Sequence, residues 1–186
     1  METKAQSSLA ERFERASGRL TAVLVATPMA RWDAPSPCEG WTARDVVRHV
    51  IDTEQDFFAQ HGVDLRPKPD ASDPNAAWAA HSARVQSLLA DEQFTAARFD
   101  GYFGPTTIGA TFDTYYLFDV LVHRWDIATA AGLAATFTEE ELEAIEERVA
   151  AFGDTMYMEG ICKPALETSA GADRQTALLA KMGRAG

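Results

Sequence analysis

A chain of 186 residues, 46% hydrophobic and 24% charged, can bury one core of real size and has ordinary globular composition. Its formal net charge of −11 repels phosphate backbones and anionic headgroups, which argues against a broad nucleic-acid surface and against docking on anionic membranes. Two cysteines, Cys38 and Cys162, make no disulfide framework, and METKAQSSLAERFERA lacks the apolar core of a signal peptide, so the expected location is the reducing cytoplasm.

Leu9, Phe13, Ala16, Leu20, Val23 and Leu24 recur at three- and four-residue spacing, which predicts a long amphipathic helix over about 6–27 that ends at Pro28. Its apolar run, LTAVLVATPMA, is too short and too interrupted to span a bilayer. The loop RWDAPSPCEG follows, and WTARD then opens a second helix. Thr42 is its expected N-cap, with Asp45 in the capping-box position and Trp41 and Val46 spaced as a hydrophobic staple, and the helix should run to about Gln60.

HGVDLRPKPDASDPN reads as a polar, proline-rich loop, and a third helix over roughly 75–90 turns Trp78, Val85 and Leu89 inward. FTAARFDGYFGPTTIGA contains a turn at its centre, with flanks that pair as short strands or remain loop. A fourth helix should run from about Ala110 to a C-terminal glycine at Gly132. Thr138 with Glu141 starts a fifth, acidic in its first turn, and a short helix near Arg174–Met182 closes the chain. No alternation is strong enough for a sizeable sheet. The fold class is therefore all-α, a bundle of four main helices.

The fourth helix raises the functional question. DVLVHRWDIATA is apolar around most of its circumference, yet Asp119 and His123 lie four apart on one stripe with Phe112, Tyr116 and Asp126. A buried carboxylate costs several kcal/mol unless its charge is compensated. A hydrogen-bonded Asp119–His123 pair that cross-links the bundle is one account. Shared ligation of one cation is the other, and it needs a third donor from a neighbouring helix. Among the four histidines, His61 falls at a helix end beside Gly62 and is expected in solvent. His81 is placed off the apolar line of its helix, at the surface or boundary. His49 lies mid-helix among Val46, Val47, Val50 and Ile51, and one shared ion accounts for His49, Asp119 and His123 together.

PSPCEGWTARDVVRHV resembles the Pro-Cys-x-Gly-Trp-Thr-x-x-Asp-hydrophobic-hydrophobic-x-His signature of DinB-like, mycothiol-dependent maleylpyruvate isomerase-type domains. DVLVHRWDIATAAG resembles their acid-x3-His-x-Trp-Asp segment, and RQTALLAKMGRAG the tail of an actinobacterial subgroup. The resemblance implies a DinB-like four-helix bundle with an additional C-terminal helix and tail. It implies a metal-binding bundle over 1–155 and an extension over 156–186 packing on it. It also implies a divalent metal, zinc first with nickel or iron as the other candidates, on His49, Asp119 and His123. Aspartate stands where other members carry glutamate or histidine.

Three protein ligands leave a tetrahedral ion one open position, which points to chemistry or small-ligand binding. The first expectation is a metal-dependent enzyme that activates a small thiol of the mycothiol type, acting on a small-molecule substrate by transfer or isomerisation. The alternatives are a non-catalytic metal-binding or sensing domain and a non-haem Fe(II) enzyme. The oligomeric state is left open, with a homodimer as one option. Cys38, before a helix start, is weighed as a nucleophile and read instead as a small loop thiol. Asp126 has two readings, orienting a ligand histidine or pairing with Arg44 or Arg48, and the arginine pairing is favoured. Trp125 is read as core, Phe112 and Tyr116 as core or pocket wall, and EEELEAIEE as a solvated face.

Overall fold

Ser8 and Glu11 close a reciprocal capping box that starts α1 (Leu9–Ala26), and its stripe of Phe13, Ala16, Leu20 and Leu24 is buried. The computed structural model describes residues 7–65, 72–158 and 161–186, so the middle of the expected HGVDLRPKPDASDPN loop lies outside the described residues. A 3-10 turn at Met29–Arg31 leads to a loop pinned to itself. Within it Ser36 N–H donates to Trp41 O at 2.8 Å, Trp41 N–H to Cys38 O at 3.0 Å, and Pro35 bridges to Thr42. Thr42 and Asp45 then form the expected capping box of α2 (Ala43–Gln60).

α3 (Pro74–Leu89) has proline in its first turn behind an Asp73 cap. A single-turn α4 (Glu92–Thr95) precedes an antiparallel hairpin of β1 (Arg98–Gly101) and β2 (Gly104–Thr107), paired Arg98 to Thr107 and Gly101 to Gly104. The ambiguous stretch is thus two short strands. Its tip carries Tyr102 and Phe103, both exposed, ring against ring at 4.8 Å.

α5 (Ile108–Thr111), a π-turn over Phe112–Tyr116 and α6 (Leu117–Ala131) follow one another without a break, where the sequence predicts one helix from Ala110. In the π-turn the Leu117 N–H reaches back five residues to Phe112 O. Gly132 ends α6 with φ 72°, a left-handed cap that glycine adopts without Cβ strain.

α6 is apolar almost all round, with Val120, Val122, Trp125, Ile127 and Ala128 buried, and it packs on both α1 and α2. α1 also packs on α3, and α2 on α3, which closes a four-helix bundle. Aromatic contacts fill the centre: Phe13 meets Phe112 edge-on at 5.6 Å, and Phe58 stacks on Phe112 at 5.5 Å. Each such fully buried side chain contributes about 1.5–3 kcal/mol. Among the described residues, no helix is long and apolar enough to cross a membrane.

Two compact units divide at Leu133 and Ala134. The second holds α7 (Glu139–Phe152), a 3-10 turn at Gly153–Tyr157 and α8 (Arg174–Lys181). Thr138 and Glu141 cap α7 as expected, and Glu141 is buried in making that cap, whereas most of the acidic run faces solvent. Arg174 ties α8 to α7 through Glu139 at 2.6 Å and Glu146 at 2.5 Å. Gln175 accepts from Phe137 N–H at 2.8 Å and donates to Ala135 O at 2.9 Å.

His81 corrects the sequence reading. It is buried, with its Nε2 2.7 Å from Glu54 Oε2, in a pair whose side chains are 0% and 1% exposed. Trp78, His81, Val85 and Leu89 are themselves the inward stripe of α3, and the many alanines of that helix disguised it. His61 is likewise not simply in solvent. It is half-buried, edge-on to Phe57 at 4.7 Å and to Phe99 of the hairpin at 4.4 Å, and burial lowers its pKa.

Candidate metal centre

His49 on the second turn of α2 and Asp119 on the first turn of α6 face each other across the helix pair, with Nε2 and Oδ2 3.8 Å apart. His123, one turn beyond Asp119, sets its ring edge-on to that of His49 at 5.0 Å between centroids. One donor atom from each of the three lies within 4.8 Å of the other two. The structure therefore gathers the three side chains that the sequence singled out. His49 and Asp119 are 28% and 36% exposed, so the group opens to solvent, while His123 is buried at its back.

Asp126 makes the histidine contact that is one of its two readings. Its fully buried carboxylate lies 2.9 Å from His123 Nδ1. Arg48 pairs with Asp45, and Arg44 pairs with Asp33 at 3.2 Å and donates to Ser72 O at 3.0 Å. A carboxylate on Nδ1 fixes the ring and its tautomer, which leaves Nε2 as the nitrogen available to a cation. The three-residue spacing of His123 and Asp126 on one helix was the signal for this contact. Cys38 joins them, its Sγ 3.3 Å from Asp126 Oδ2 and 3.9 Å from His123 Nδ1. No spacing rule links Cys38 to residues 85 and 88 positions away, so that contact was invisible in the sequence.

Burial alone would push the His123 pKa down. The hydrogen bond that its Nδ1–H donates to Asp126, the Cys38 contact and the charges of Asp119 and Asp126 outweigh it and lift the value to about 10. The surroundings thus demand positive charge at this ring, which a bound cation supplies as well as a proton does.

The walls are aromatic. Trp41, the residue before the α2 cap, packs its ring on His49 at 4.7 Å. Tyr116 lies one turn before Asp119 and packs, tilted, against Phe57 at 4.5 Å. Its phenol is pushed up to about 12, by burial first and then by the charges of Asp119, Glu54 and Asp56, so it keeps its proton as a hydrogen-bond donor. Phe112 is fully buried core, as is Trp125 apart from a small exposed edge. The π-turn that ends at Tyr116 inserts directly before the segment carrying Asp119, a device common beside functional sites.

Two imidazoles and a carboxylate, one imidazole braced by a second carboxylate, suit a divalent ion of zinc type. A helical bundle with such a donor set on facing helices defines the class of protein. The chain belongs to the mycothiol maleylpyruvate isomerase N-terminal domain family, whose model matches residues 13–128. That span contains His49, Asp119, His123, Cys38 and Asp126, and the all-α architecture is DinB-like. Two proteins of Mycobacterium tuberculosis described only as uncharacterized, from strains CDC 1551 and H37Rv, are each 28% identical over 138 residues, 74% of this chain and 74% of the relative. No solved structure matches the chain.

Proposed function

We propose that His49, Asp119 and His123 hold one divalent cation, most readily zinc, and that the protein uses it as an enzyme acting with a small thiol of the mycothiol type. The observation that carries this reading is the convergence of the three donors within 4.8 Å at a solvent-open place in a bundle of this family. When bound, the ion would supply Lewis acidity that favours the deprotonated form of a thiol or water in the remaining position.

The chain's own residues do the rest. Asp126 fixes the His123 ring. Trp41 packs its ring, tilted, against His49. The three ligands carry one negative charge between them, so a divalent ion leaves the place net positive towards an incoming anion. The net charge of −11 disfavours nucleic acid as a partner, and the two cysteines suit a cytoplasmic setting.

Cobalt-substituted protein titrated with small thiols tests the reading. A thiolate-to-cobalt absorption band that saturates and is lost in His49→Ala supports it. Stoichiometric cobalt with no spectral response to any thiol would leave a metal-binding domain without thiol chemistry. Cobalt content unchanged by His49→Ala would remove that ligand.

A further inference from the structure

The same histidine has a second set of donors on its other nitrogen. Cys38 Sγ, Asp126 Oδ2 and His123 Nδ1 lie 3.3, 2.9 and 3.9 Å apart (sulfur to oxygen, oxygen to nitrogen, sulfur to nitrogen). Bonds of about 2.0–2.3 Å at tetrahedral angles place neighbouring ligand atoms roughly 3.3–3.8 Å apart, and the observed triangle brackets that spacing. We propose that Cys38, His123 and Asp126 form an inner seat for a thiophilic cation, distinct from the outer set of His49, Asp119 and His123.

Three observations support it. First, the geometry is wrong for a thiol-imidazole-carboxylate relay. Such a relay puts the thiol on one ring nitrogen and the carboxylate on the other. Here both converge on Nδ1, which is how ligands gather about a common ion.

Second, the seat is built in advance. The Cys38 loop is closed by the Ser36–Trp41 and Trp41–Cys38 backbone bonds, and the Ser36 hydroxyl accepts from Cys38 N–H at 3.2 Å. Asp126 is fully buried and His123 is buried on α6.

Third, the charges match. A thiolate and a carboxylate balance a divalent ion, whereas the outer set brings one negative charge. Sulfur in the set selects soft ions, and its absence from the outer set does not.

Entry of a cation releases the thiol proton and the Nδ1 proton to solvent, and the ion replaces the His123–Asp126 hydrogen bond. The two seats therefore share one ring in one orientation, Nδ1 towards the inner seat and Nε2 towards the outer one. A soft ion inside withdraws the brace from the outer ligand.

Cadmium titrated into the metal-free full chain, read by sulfur-to-cadmium absorption in the ultraviolet, tests this. The expected result is a thiolate band saturating at one equivalent, kept in Cys162→Ser and lost in Cys38→Ser. It should persist in His49→Ala, so it appears even where the outer assignment fails. X-ray absorption at the cadmium edge of unmodified protein, expected to show one sulfur neighbour, guards against a Cys38 variant that does not fold. No sulfur neighbour, or a band that survives Cys38→Ser or disappears in Cys162→Ser, overturns the inner seat.

Discussion

Two meetings of histidine with carboxylate that draw on helix α2 differ in closure. At one, Glu54 and His81 touch at 2.7 Å with side chains 1% and 0% exposed. At the other, His49 and Asp119 stand 3.8 Å apart, about a third open, with His123 behind them. The closed pair is a direct hydrogen-bonded contact, although it leaves Glu54 Oε1 and His81 Nδ1 buried without a hydrogen-bond partner among the described residues. The open group is spaced too widely for a direct hydrogen bond and closely enough to share an ion. The chemistry of the side chains is the same, and solvent access with separation makes one a cross-link of the bundle and the other a candidate site.

The sharpest way to break this comparison is to remove one member of each group. His81→Ala strands a buried carboxylate, and urea unfolding should show a loss of about 3–5 kcal/mol. Metal content per folded molecule should stay unchanged. His49→Ala should do the reverse, with zinc affinity, measured by competition with a chromophoric chelator, falling more than about 100-fold. Asp126→Asn, which alters the brace and not a proposed outer ligand, should weaken zinc by about 10–100-fold in the same assay.

The pH dependence sharpens the contrast further. Burial raises the Glu54 pKa above its ordinary value, the His81 hydrogen bond and charge lower it in part, and the Asp119 charge adds to the rise. The unfolded chain ionises this carboxyl first, so between the ordinary value of 4.5 and the higher folded value the native state holds more protons, and stability falls as pH rises. Glu54→Gln should flatten that slope in unfolding free energies measured across the window, and an unchanged slope would separate Glu54 from it. The smallest effect belongs to neither group. Thr42→Ala removes the α2 cap and should cost about 1 kcal/mol, with zinc affinity little changed.

Helix starts were legible because caps are local: Thr42 with Asp45 and Thr138 with Glu141 both form the expected boxes. The stripe of Asp119 and His123 was legible because helical period is local too. His81 was misplaced because its neighbours on α3 are alanines, which mark no face, and only packing against α2 reveals the stripe. The strand pairing depended on a four-residue register that the turn residues permit without requiring. Asp126 was legible as a neighbour of His123 at helical spacing, but the contact itself took the third dimension. Cys38 at Asp126 is a loop-to-helix contact with no sequence period at all. Trp41 was legible at the helix start, and its ring on His49 was not.

The central claim is that His49, Asp119 and His123 share one cation. Anomalous diffraction at the zinc edge from crystals grown with one equivalent of zinc tests it most directly. The account predicts a single strong peak about 2.0–2.2 Å from a nitrogen of His49, an oxygen of Asp119 and Nε2 of His123. A peak elsewhere on the molecule, or none among these three side chains at saturating zinc, would contradict it.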